Sequence, residues 1–350
     1  MSRFFSEKYA SLVPYVPGEQ PKDMPFIKLN TNESPFPPSP VAIRLAGEAA
    51  EKLHLYSDPE CFDLRKAACT RFDIEPDEII FTNGSDDILN FAFQAFCDDT
   101  HPAAFADITY GFYSVFAKYN GVPFELIPLQ DDFSIRAEDY VSIHKTIFIA
   151  NPNAPTGLAL PLSEIERIVA GNPDNIVVVD EAYVDFGAES AVNLIHRYDN
   201  LLVTQTFSKS RSLAGGRLGF GIGNKELIKD LNTIRFSTNP YNINRMTMAA
   251  GIGALQDREY FEQNCKTIME NRAWTTAQLK ELGFHVLDSM TNFVFAESPK
   301  IDGTTLYQKL RENGILVRHF DTDRLRNFNR ITIGSREQME ALIACLKRLL

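Results

Sequence analysis

Seven short runs of β-forming residues, separated for the most part by amphipathic helical patterns, occupy the middle of the sequence. Strands that alternate with helices form a mostly parallel sheet covered by helices on both faces. We therefore predict a doubly wound α/β domain with a mostly parallel seven-stranded sheet. The runs are IIFT at 79–82, AAFAD at 103–107, FELIP at 124–128, TIFIA at 146–150, IVVVD at 176–180, LLVTQ at 201–205 and LGFGI at 218–222.

The pattern changes in the last third of the chain. A long helical stretch at 245–282 is followed by the short strand-like runs NFVFAE, ILVRHF and RITIG and by a closing helix, QMEALIACLKRLL. This order predicts a smaller α+β domain at 246–350 after a large α/β domain at 27–245. Residues 1–26, which are punctuated by Pro and Tyr, are predicted to form an N-terminal arm. A length of 350 residues fits about two domains.

Charge and cysteine content exclude several classes of function. The chain carries 35 Lys and Arg residues against 46 Asp and Glu residues, a formal net charge of −11. It therefore lacks the basic surface expected of a nucleic-acid or anionic-membrane binder. No apolar run is long enough to span a membrane, and the N-terminal sequence lacks a signal-peptide pattern. The five scattered cysteines show no zinc spacing. We expect a cytoplasmic protein with no metal site.

Residues that suit a phosphate group follow the first strand-like run. Gly84, Ser85 and Asp86 stand between IIFT and a predicted helix, where free N–H groups and the helix dipole favour an anion. The same residues also suit an ordinary helix cap. The two common nucleotide-binding glycine patterns, GxxxxGK[ST] and GxGxxG, are missing from the sequence. A phosphate-bearing ligand other than a nucleotide is therefore indicated.

A lysine and an aspartate at the ends of two later strands indicate the chemistry of this ligand. Lys209 follows LLVTQ and has the cation Arg217 nearby in sequence, an environment in which a lysine can serve as an amine nucleophile. Asp180 ends an apolar strand, where burial is unfavourable unless the carboxylate pairs with a cation such as a protonated pyridine nitrogen. A lysine amine and an aspartate facing a pyridinium are together the signature of a pyridoxal-phosphate site.

Motifs along nearly the whole chain resemble those of the fold-type I pyridoxal-phosphate-dependent aminotransferases, class II. The spacing from DEAY to SK, and the arginine eight residues after that lysine, are specific in combination. The motifs are LVPYVPG at 12–18, KLNTNESPFPPS at 28–39, LYSDPEC at 55–61, TNGSDD at 82–87, NPNAPTG at 151–157, VVVDEAYVDF at 177–186, TFSKSRSLAGGRLGF at 206–220, NPYNIN at 239–244, TNFVF at 291–295, GILVRHF at 314–320 and RITIG at 330–334.

The resemblance implies a role for each candidate residue. Lys209 would bind the cofactor covalently and move the proton at the substrate Cα, Asp180 would pair with the pyridine nitrogen, and Tyr183 would donate a hydrogen bond to the 3′-oxygen of the ring. Because one family tyrosine reaches the phosphate across a subunit interface, the resemblance also implies a homodimer. The other expected cofactor contacts are Gly84, Ser85, Asp86, Ser208 and Arg217 at the phosphate, Tyr110 on the ring and Tyr56 from the partner subunit.

The resemblance also implies a substrate that carries an anion. Arg330 resembles the arginine that binds the anionic end of the substrate, and we expect Arg318 and Tyr15 to support it, since a guanidinium presents a flat fork of donors to phosphate or carboxylate. For Arg318 a solvent-facing strand position is an equally good interpretation. The implied reaction is a ping-pong transamination between a small anionic amino donor and 2-oxoglutarate, which yields glutamate.

One position departs from the family pattern. The family usually has Asn directly before Pro-Thr-Gly, where it donates to the 3′-oxygen of the ring, whereas this sequence has Ala154 there. We expect Asn153, one residue earlier, to take over that contact through a shift of the backbone.

Several functions stay open at this point. An aromatic amino acid is the alternative amino donor, and decarboxylation of threonine phosphate is the alternative reaction on the same fold. A pyridoxal-phosphate-binding regulator without catalysis is disfavoured, because the 26 residues before the α/β region are too few and too weakly basic for a DNA-binding module. A nicotinamide-dependent dehydrogenase is disfavoured by the missing glycine fingerprint.

Overall fold

The structure, a computed structural model, describes residues 2–10, 12–21 and 24–350. Its strands, numbered along the chain, are β1 (Ile27–Lys28), β2 (Ile79–Thr82), β3 (Ala103–Ala106), β4 (Phe124–Ile127), β5 (Thr146–Ala150), β6 (Val177–Asp180), β7 (Leu201–Thr206), β8 (Gly219–Gly223), β9 (His285–Val286), β10 (Phe293–Glu297), β11 (Ile315–Leu316), β12 (Arg318–His319) and β13 (Phe328–Thr332).

The α-helices begin at positions that the local sequence explains. The Ser39 hydroxyl accepts a hydrogen bond from Ala42 N at 3.1 Å, with Pro40 in the first turn. Ser335 and Gln338 form a reciprocal capping box at the start of the last helix. The helices are α1 (Pro40–Ala50), α2 (Phe62–Phe72), α3 (Ser85–Phe96), α4 (Phe112–Asn120), α5 (Leu162–Ala170), α6 (Lys225–Thr238), α7 (Arg245–Gln256), α8 (Arg258–Glu281), α9 (Gly303–Glu312) and α10 (Arg336–Leu349).

Seven strands form the main sheet in the order β2-β8-β7-β6-β5-β3-β4. The five strands from β4 to β7 along this order pair in parallel, and β8 runs antiparallel to both β7 and β2. Every residue of β3, β5, β6 and β7 is buried, as a sheet covered on both faces requires. The predicted doubly wound, mostly parallel seven-stranded sheet is confirmed.

The alternation of side chains along β6 shows how the sheet separates two cores. Val177 and Val179 belong to one hydrophobic cluster together with residues of α2, α5 and α7. Val178 belongs to the cluster on the opposite face, with residues of α3, α4 and α6. Successive side chains of a strand point to opposite faces, so a strand that is apolar at each of these positions contributes to both cores. The last residue of β6, Asp180, is the one polar residue of this strand, and it lines the cavity described below.

A second, four-stranded antiparallel sheet has the order β12-β13-β10-β9 and packs with α8 and α9, and residues of α10 belong to the same hydrophobic cluster as β10 and β13. The short strand β1 pairs in parallel with β11, Ile27 opposite Ile315 and Lys28 opposite Leu316. The following residue, Leu29, is buried in the same hydrophobic cluster as β10 and β13. The segment after the predicted arm is therefore attached to this second sheet, and the proposed division into 27–245 and 246–350 stays a prediction.

Two predicted elements divide in the structure. The helical stretch at 245–282 becomes α7 and α8, which meet at Asp257, a residue outside helical geometry with φ −88° and ψ 68°. The run ILVRHF becomes β11, which pairs with β1, and β12, which pairs with β13. Among the described residues, no helix is both long and apolar enough to cross a membrane.

The described residues of the predicted arm are irregular apart from a short 3₁₀ turn at Glu7–Tyr9. The Tyr9 ring stacks on that of Tyr119 with 5.5 Å between centroids. Farther along, Glu19 pairs with Arg311 of α9 at 2.6 Å. The arm thus contacts both α4 of the large sheet and α9 beside the second sheet. Residues 1, 11, 22 and 23 of the predicted arm lie outside the described residues.

Candidate active site

A cavity of about 390 Å³ opens where β5, β6 and β7 end, beside the first turn of α3. Ligands of open α/β sheets bind at this edge because the parallel strands end there next to helix N-termini. Eight of the predicted site residues line the cavity: Ser85, Asp86, Tyr110, Asp180, Tyr183, Ser208, Lys209 and Arg217.

The end of this cavity beside α3 provides the donors that a phosphate prefers. No side chain caps α3, so the N–H groups of its first turn remain for a ligand. Arg217 Nη2 lies 3.1 Å from Asp86 Oδ2, and its Nη1 lies 3.5 Å from Ser208 Oγ. A guanidinium, a hydroxyl and helix N–H groups thus converge on one place.

Two glycines make this close arrangement possible. Gly84 has φ +89°, and a Cβ there would lie 2.5 Å from Arg217 Nη2. A Cβ at Gly219, on β8, would lie 2.2 Å from the Ser85 nitrogen. A side chain at either position would displace the guanidinium or the start of α3. Gly84 was predicted as a phosphate contact, whereas the role of Gly219 depends on a strand approach that the sequence does not reveal.

Tyr110 forms part of the cavity wall and is held by Asp86. Its hydroxyl donates to Asp86 Oδ1 at 2.7 Å. Burial, reinforced by the negative charge of Asp86, raises the pKa of the Tyr110 phenol well above its ordinary value. The ring is therefore a fixed, uncharged surface against which a planar ligand can stack.

Asp180 is a buried carboxylate at the end of β6 with two hydroxyl donors. Tyr113 donates to its Oδ2 at 2.9 Å and Thr204 to its Oδ1 at 3.4 Å. Burial nevertheless raises the pKa of Asp180 to about 6, partly offset by the hydrogen bond from Tyr113. A cation placed against this carboxylate would stabilise its charged form. Sequence reasoning missed both donors, although Thr204, a polar residue in an apolar strand that pairs with Asp180, is a usable signal.

Lys209 and Tyr183 lie together at the junction of two cavities. Lys209 Nζ lies 5.8 Å from the centre of the Tyr183 ring and donates to the carbonyl oxygen of Thr31 at 3.3 Å. The Tyr183 hydroxyl accepts a hydrogen bond from Asn32 Nδ2 at 2.9 Å. The contacts of the segment around Thr31 and Asn32 with these two side chains were not predicted.

The second cavity, of about 660 Å³, shares Lys209, Tyr110 and Tyr183 with the first and extends to the second sheet. Arg330, Arg318 and Tyr15, the predicted substrate residues, line it. The structure therefore brings the predicted substrate residues and eight of the predicted cofactor residues to adjoining spaces.

Arg330 is a half-buried cation that lacks an acidic partner among the described residues. Its Nη2 donates to the carbonyl oxygen of Asn30 at 3.1 Å, while its Nε has no hydrogen-bond partner within the described part of the chain. The guanidinium carbon lies 5.3 Å from the Phe293 ring centre and 5.7 Å from that of Phe320. Burial lowers the pKa of Arg330. An anion in the second cavity would offset the free-energy cost of removing this charge from water.

Arg318 stands directly opposite Arg330 in the antiparallel pairing of β12 with β13. Its guanidinium also lies near Phe320, at 5.6 Å from the ring centre. Tyr15 is partly exposed and packs on Phe112 with 4.4 Å between ring centroids. Two arginines that lie opposite each other on neighbouring strands, beside the Phe320 ring, suit a ligand with an anionic end. Arg318 thus lines a cavity and does not simply face solvent.

The structure does not bring Asn153 to either cavity. Its Nδ2 donates to Ile108 O at 3.0 Å and to Thr156 Oγ1 at 3.1 Å, and its Oδ1 accepts from Thr109 Oγ1 at 2.7 Å. The amide is fully used in holding its own turn. Ala154 lines both cavities instead. The contact of Asn153 with the ring, which was expected to need a shift of the backbone, therefore stays a prediction that these hydrogen bonds do not favour.

Tyr56 lies on the surface of the single chain and does not line the first cavity. Its side chain is 79% exposed and stacks on Tyr241 with 4.6 Å between ring centroids. Within one chain it is thus separate from the other predicted cofactor residues.

The doubly wound sheet, the strand-end lysine and aspartate, and the anion-binding turn of α3 define the class as an enzyme that binds a small phosphate-bearing group beside a reactive amine. Residues 24–346 match the model of the family described as aminotransferase class I and II, and the chain belongs to this family.

Two relatives illustrate the likeness in sequence. The chain is 49% identical to a histidinol-phosphate aminotransferase of Brachyspira hyodysenteriae, over 99% of both proteins. It is 48% identical to a histidinol-phosphate aminotransferase of Marinomonas sp., over 100% of both.

Two solved structures illustrate the likeness in fold. A histidinol-phosphate aminotransferase from Sinorhizobium meliloti, solved in complex with pyridoxal-5′-phosphate, has a TM-score of 0.89 at 24% identity and covers 100% of this chain and 99% of its own. A putative histidinol-phosphate aminotransferase from Erwinia carotovora atroseptica has a TM-score of 0.86 at 25% identity, covering 93% of this chain and 96% of its own. The fold is therefore that of this group of aminotransferases.

Proposed function

We propose that this chain is a pyridoxal-phosphate-dependent aminotransferase that converts histidinol phosphate and 2-oxoglutarate into imidazole acetol phosphate and glutamate, a step of histidine biosynthesis. The observation that carries the proposal is the continuity of two spaces around Lys209. One space has the donors for a phosphate-bearing cofactor. The other is lined by two cations, Arg318 and Arg330, which lie opposite each other on neighbouring strands. The names of the relatives, at 48–49% identity over full length, support the choice of donor.

The residues of the first cavity fit pyridoxal phosphate. Asp180 is a buried carboxylate whose raised pKa indicates that it needs a cation, which a protonated pyridine nitrogen supplies. Gly84 keeps Arg217 against the first turn of α3, where it would hold the phosphate together with Ser208. Lys209 offers the amine that binds the cofactor covalently. When bound, pyridoxal phosphate supplies a ring that withdraws electrons from the substrate Cα.

The protein groups around this ring divide the remaining tasks. Once the amino group of the donor has displaced it from the cofactor, the Lys209 amine would be free to take the proton from Cα of the donor and, in the second half of the reaction, to return a proton to Cα of the 2-oxoacid. Tyr113 and Thr204 keep the carboxylate of Asp180 charged and oriented by donating to its two oxygens. Tyr110 provides a flat wall that excludes water from one face of the site.

The second cavity explains how one site accepts two different substrates. Arg330, with Arg318 opposite it, can receive the phosphate of histidinol phosphate in one half-reaction and the distal carboxylate of 2-oxoglutarate in the other. Because the half-buried Arg330 lies beside the Phe293 and Phe320 rings, its charge is less screened than at an open surface and favours whichever anion enters. Tyr15 closes the side of the cavity towards the arm.

We also infer a homodimer in which Tyr56 contacts the phosphate bound by the partner subunit. Exposed large apolar side chains near Tyr56 in sequence, and Tyr241, which stacks on it, support this inference, since exposed apolar patches often mark interfaces. The exposed side chains are Leu53, Leu55, Tyr56, Phe62 and Tyr241. Light scattering of the purified protein is expected to give about twice the chain mass of 39.5 kDa. The cytoplasmic location expected from the sequence stays a prediction.

A panel of amino donors with 2-oxoglutarate tests the proposed substrate. Histidinol phosphate is expected to give a kcat/KM at least about tenfold above phenylalanine, tyrosine and aspartate, a difference worth about 1.4 kcal/mol in transition-state binding. Preference for an aromatic amino acid would contradict the substrate and leave the cofactor chemistry unchanged. Release of carbon dioxide from threonine phosphate would contradict the reaction itself.

A further inference from the structure

Asn32 joins the second sheet to the cofactor side of the site. The residue is 1% exposed and has φ +56°, a left-handed conformation that asparagine tolerates better than most residues. Its backbone N–H donates to Thr332 Oγ1 at 3.0 Å, and its carbonyl oxygen accepts from Asn292 Nδ2 at 2.9 Å. Both partners belong to the second sheet or the loop that leads into it. The backbone of Asn32 is therefore fixed by that sheet.

The side-chain amide of Asn32 joins Thr332 of the second sheet to Tyr183. Its Oδ1 accepts from Thr332 Oγ1 at 3.0 Å, and its Nδ2 donates to the Tyr183 hydroxyl oxygen at 2.9 Å. The Thr332 hydroxyl has a single proton, and because it also accepts from the Asn32 N–H, that proton is directed at Oδ1. This network determines which end of the amide carries the NH₂ group. The donor end faces Tyr183.

The contact with Asn32 leaves the Tyr183 hydroxyl free to donate. A phenol oxygen that accepts a hydrogen bond keeps its own proton for a second partner and becomes a stronger donor, because hydrogen bonds in a chain polarise one another. Tyr183 lines both cavities. Its proton is thus available to an oxygen atom of a ligand held beside Lys209.

The chain lacks the amide that its family usually places near this point. Ala154 contributes only a methyl group to the cavity walls, and the amide of Asn153 is used by Ile108, Thr109 and Thr156. Within the described part of the chain, the side-chain amide in contact with Tyr183 is that of Asn32.

We propose that Asn32 is a positioning residue of the reaction, which acts through Tyr183 and offsets the missing amide at Ala154. By donating to the Tyr183 hydroxyl, Asn32 orients and polarises it towards the 3′-oxygen of the bound cofactor. This inference rests on the proposed function, in which Tyr183 contacts that oxygen. Thr332 lies two residues from Arg330 on β13. The hydrogen bonds between Asn32 and Thr332 therefore link the orientation of Tyr183 to the strand that binds the substrate anion.

The absorbance of the Lys209-bound cofactor, titrated against pH in the holoenzyme, measures this effect. A hydrogen bond donated to the 3′-oxygen stabilises its ionised form and lowers the pKa of the chromophore. Asn32→Ala is expected to raise this spectroscopic pKa by roughly 0.5 to 1, and Tyr183→Phe to raise it further. In the double variant, Asn32→Ala is expected to add nothing to Tyr183→Phe, because the amide acts only through the hydroxyl.

Two further variants separate positioning from folding. Asn32→Asp keeps the shape and the bond from Thr332 but replaces the NH₂ donor by an acceptor, so Tyr183 donates to the new carboxylate and the chromophore pKa rises at least as much as in Asn32→Ala. This variant also carries the test if Asn32→Ala does not fold. Asn271→Ala is the matched control, since Asn271 is a buried asparagine of α8 whose Nδ2 bonds Gly334 O at 3.1 Å. It is expected to change thermal stability and leave the chromophore pKa unchanged.

The outcomes distinguish this inference from the function on which it rests. Loss of the Asn32→Ala shift in the Tyr183→Phe background supports the inference. A shift of the same size in both backgrounds, or a wild-type pKa in both Asn32 variants, would overturn it and leave the cofactor site intact. A wild-type protein without a borohydride-sensitive chromophore would overturn both the inference and the proposed function.

Discussion

The Tyr113 hydroxyl donates to Asp180 Oδ2 at 2.9 Å; both side chains are buried, and Asp180 lines the cavity that contains Lys209. Tyr113 lies on α4 and Asp180 ends β6, so this bond ties a covering helix to the carboxylate at the edge of the sheet. Burial raises the pKa of Asp180 to about 6, and the hydrogen bond from Tyr113 acts against that rise. The strength with which the site binds a pyridinium therefore depends on a residue that does not line the cavity.

Tyr113→Phe is expected to weaken pyridoxal-phosphate binding to the apoprotein roughly tenfold near pH 7, the value of one hydrogen bond to a charged group. Without the hydroxyl the pKa of Asp180 rises further, so less of the carboxylate is ionised at neutral pH. Wild-type affinity should fall only as the pH drops through about 6, whereas the variant should lose affinity at higher pH. Absorbance titrations of the apoprotein across this range measure both effects.

Tyr140→Phe is the control for this variant, because the Tyr140 hydroxyl is buried without a hydrogen-bond partner among the described residues. Its removal should leave the pH profile of cofactor binding unchanged. Identical profiles for Tyr113→Phe and wild type would show that the Tyr113 bond does not govern Asp180.

The raised pKa of Glu181 predicts how the stability of the apoprotein depends on pH. Its carboxylate accepts from Ser190, the Ala191 N–H and Gln205, yet burial raises its pKa from an ordinary 4.5 to about 7. Between these two values the folded protein retains a proton that the unfolded chain loses. The free energy of unfolding should therefore fall as the pH rises through this window.

Glu181→Gln is expected to reduce that fall, measured by urea unfolding at about pH 5 and about pH 8, by about 2 to 3 kcal/mol. An exposed residue of α10, changed as Glu340→Gln, serves as the reference substitution. If Glu181→Gln and wild type lost the same stability over this range, Glu181 would not be the group that retains the proton.

Arg330→Met tests the anion site while retaining much of the side-chain volume between the aromatic rings. Loss of this half-buried guanidinium should reduce kcat/KM for histidinol phosphate by about a hundredfold. It should affect histidinol, which lacks the phosphate, far less. Arg318→Met is also expected to reduce kcat/KM more for histidinol phosphate than for histidinol, but by a smaller factor. Equal losses for both donors in Arg330→Met would indicate a general defect and contradict the assigned role.

The fold could be predicted because the sequence pattern of each element is local. Strands such as Val177–Asp180 are buried on both faces, so each position must be apolar until the residue that enters the cavity. The one predicted strand run that divides does so because Ile315 and Leu316 pair with a segment almost 300 residues earlier. Such a pairing leaves no periodic signal near either partner.

The site could be predicted only where the residue type itself indicates a chemical role. Lys209, Asp180 and Arg330 are charged groups in apolar surroundings, and each is found in a cavity as expected. Asn32 and Tyr113 were missed because they act through Tyr183 and Asp180 over separations of 151 and 67 residues.

The expected contact of Asn153 with the ring stays a prediction, and the surroundings of its amide do not favour it. An asparagine side chain is oriented by whichever donors and acceptors surround it. In this turn Ile108, Thr109 and Thr156 satisfy the amide before a ligand could. Position in the motif therefore did not determine where the amide points.

The central claim is that Lys209 forms the covalent bond to the cofactor, and borohydride reduction followed by peptide mapping tests it most directly. The purified holoenzyme should lose its yellow absorbance on reduction and yield one modified peptide, with the pyridoxyl group on Lys209. Lys209→Ala should show neither the chromophore nor the modification, and its turnover should fall at least about a thousandfold, as expected when a group essential to the reaction is removed. A pyridoxyl group on another lysine, or a Lys209→Ala protein that turns over at the wild-type rate, would contradict the account.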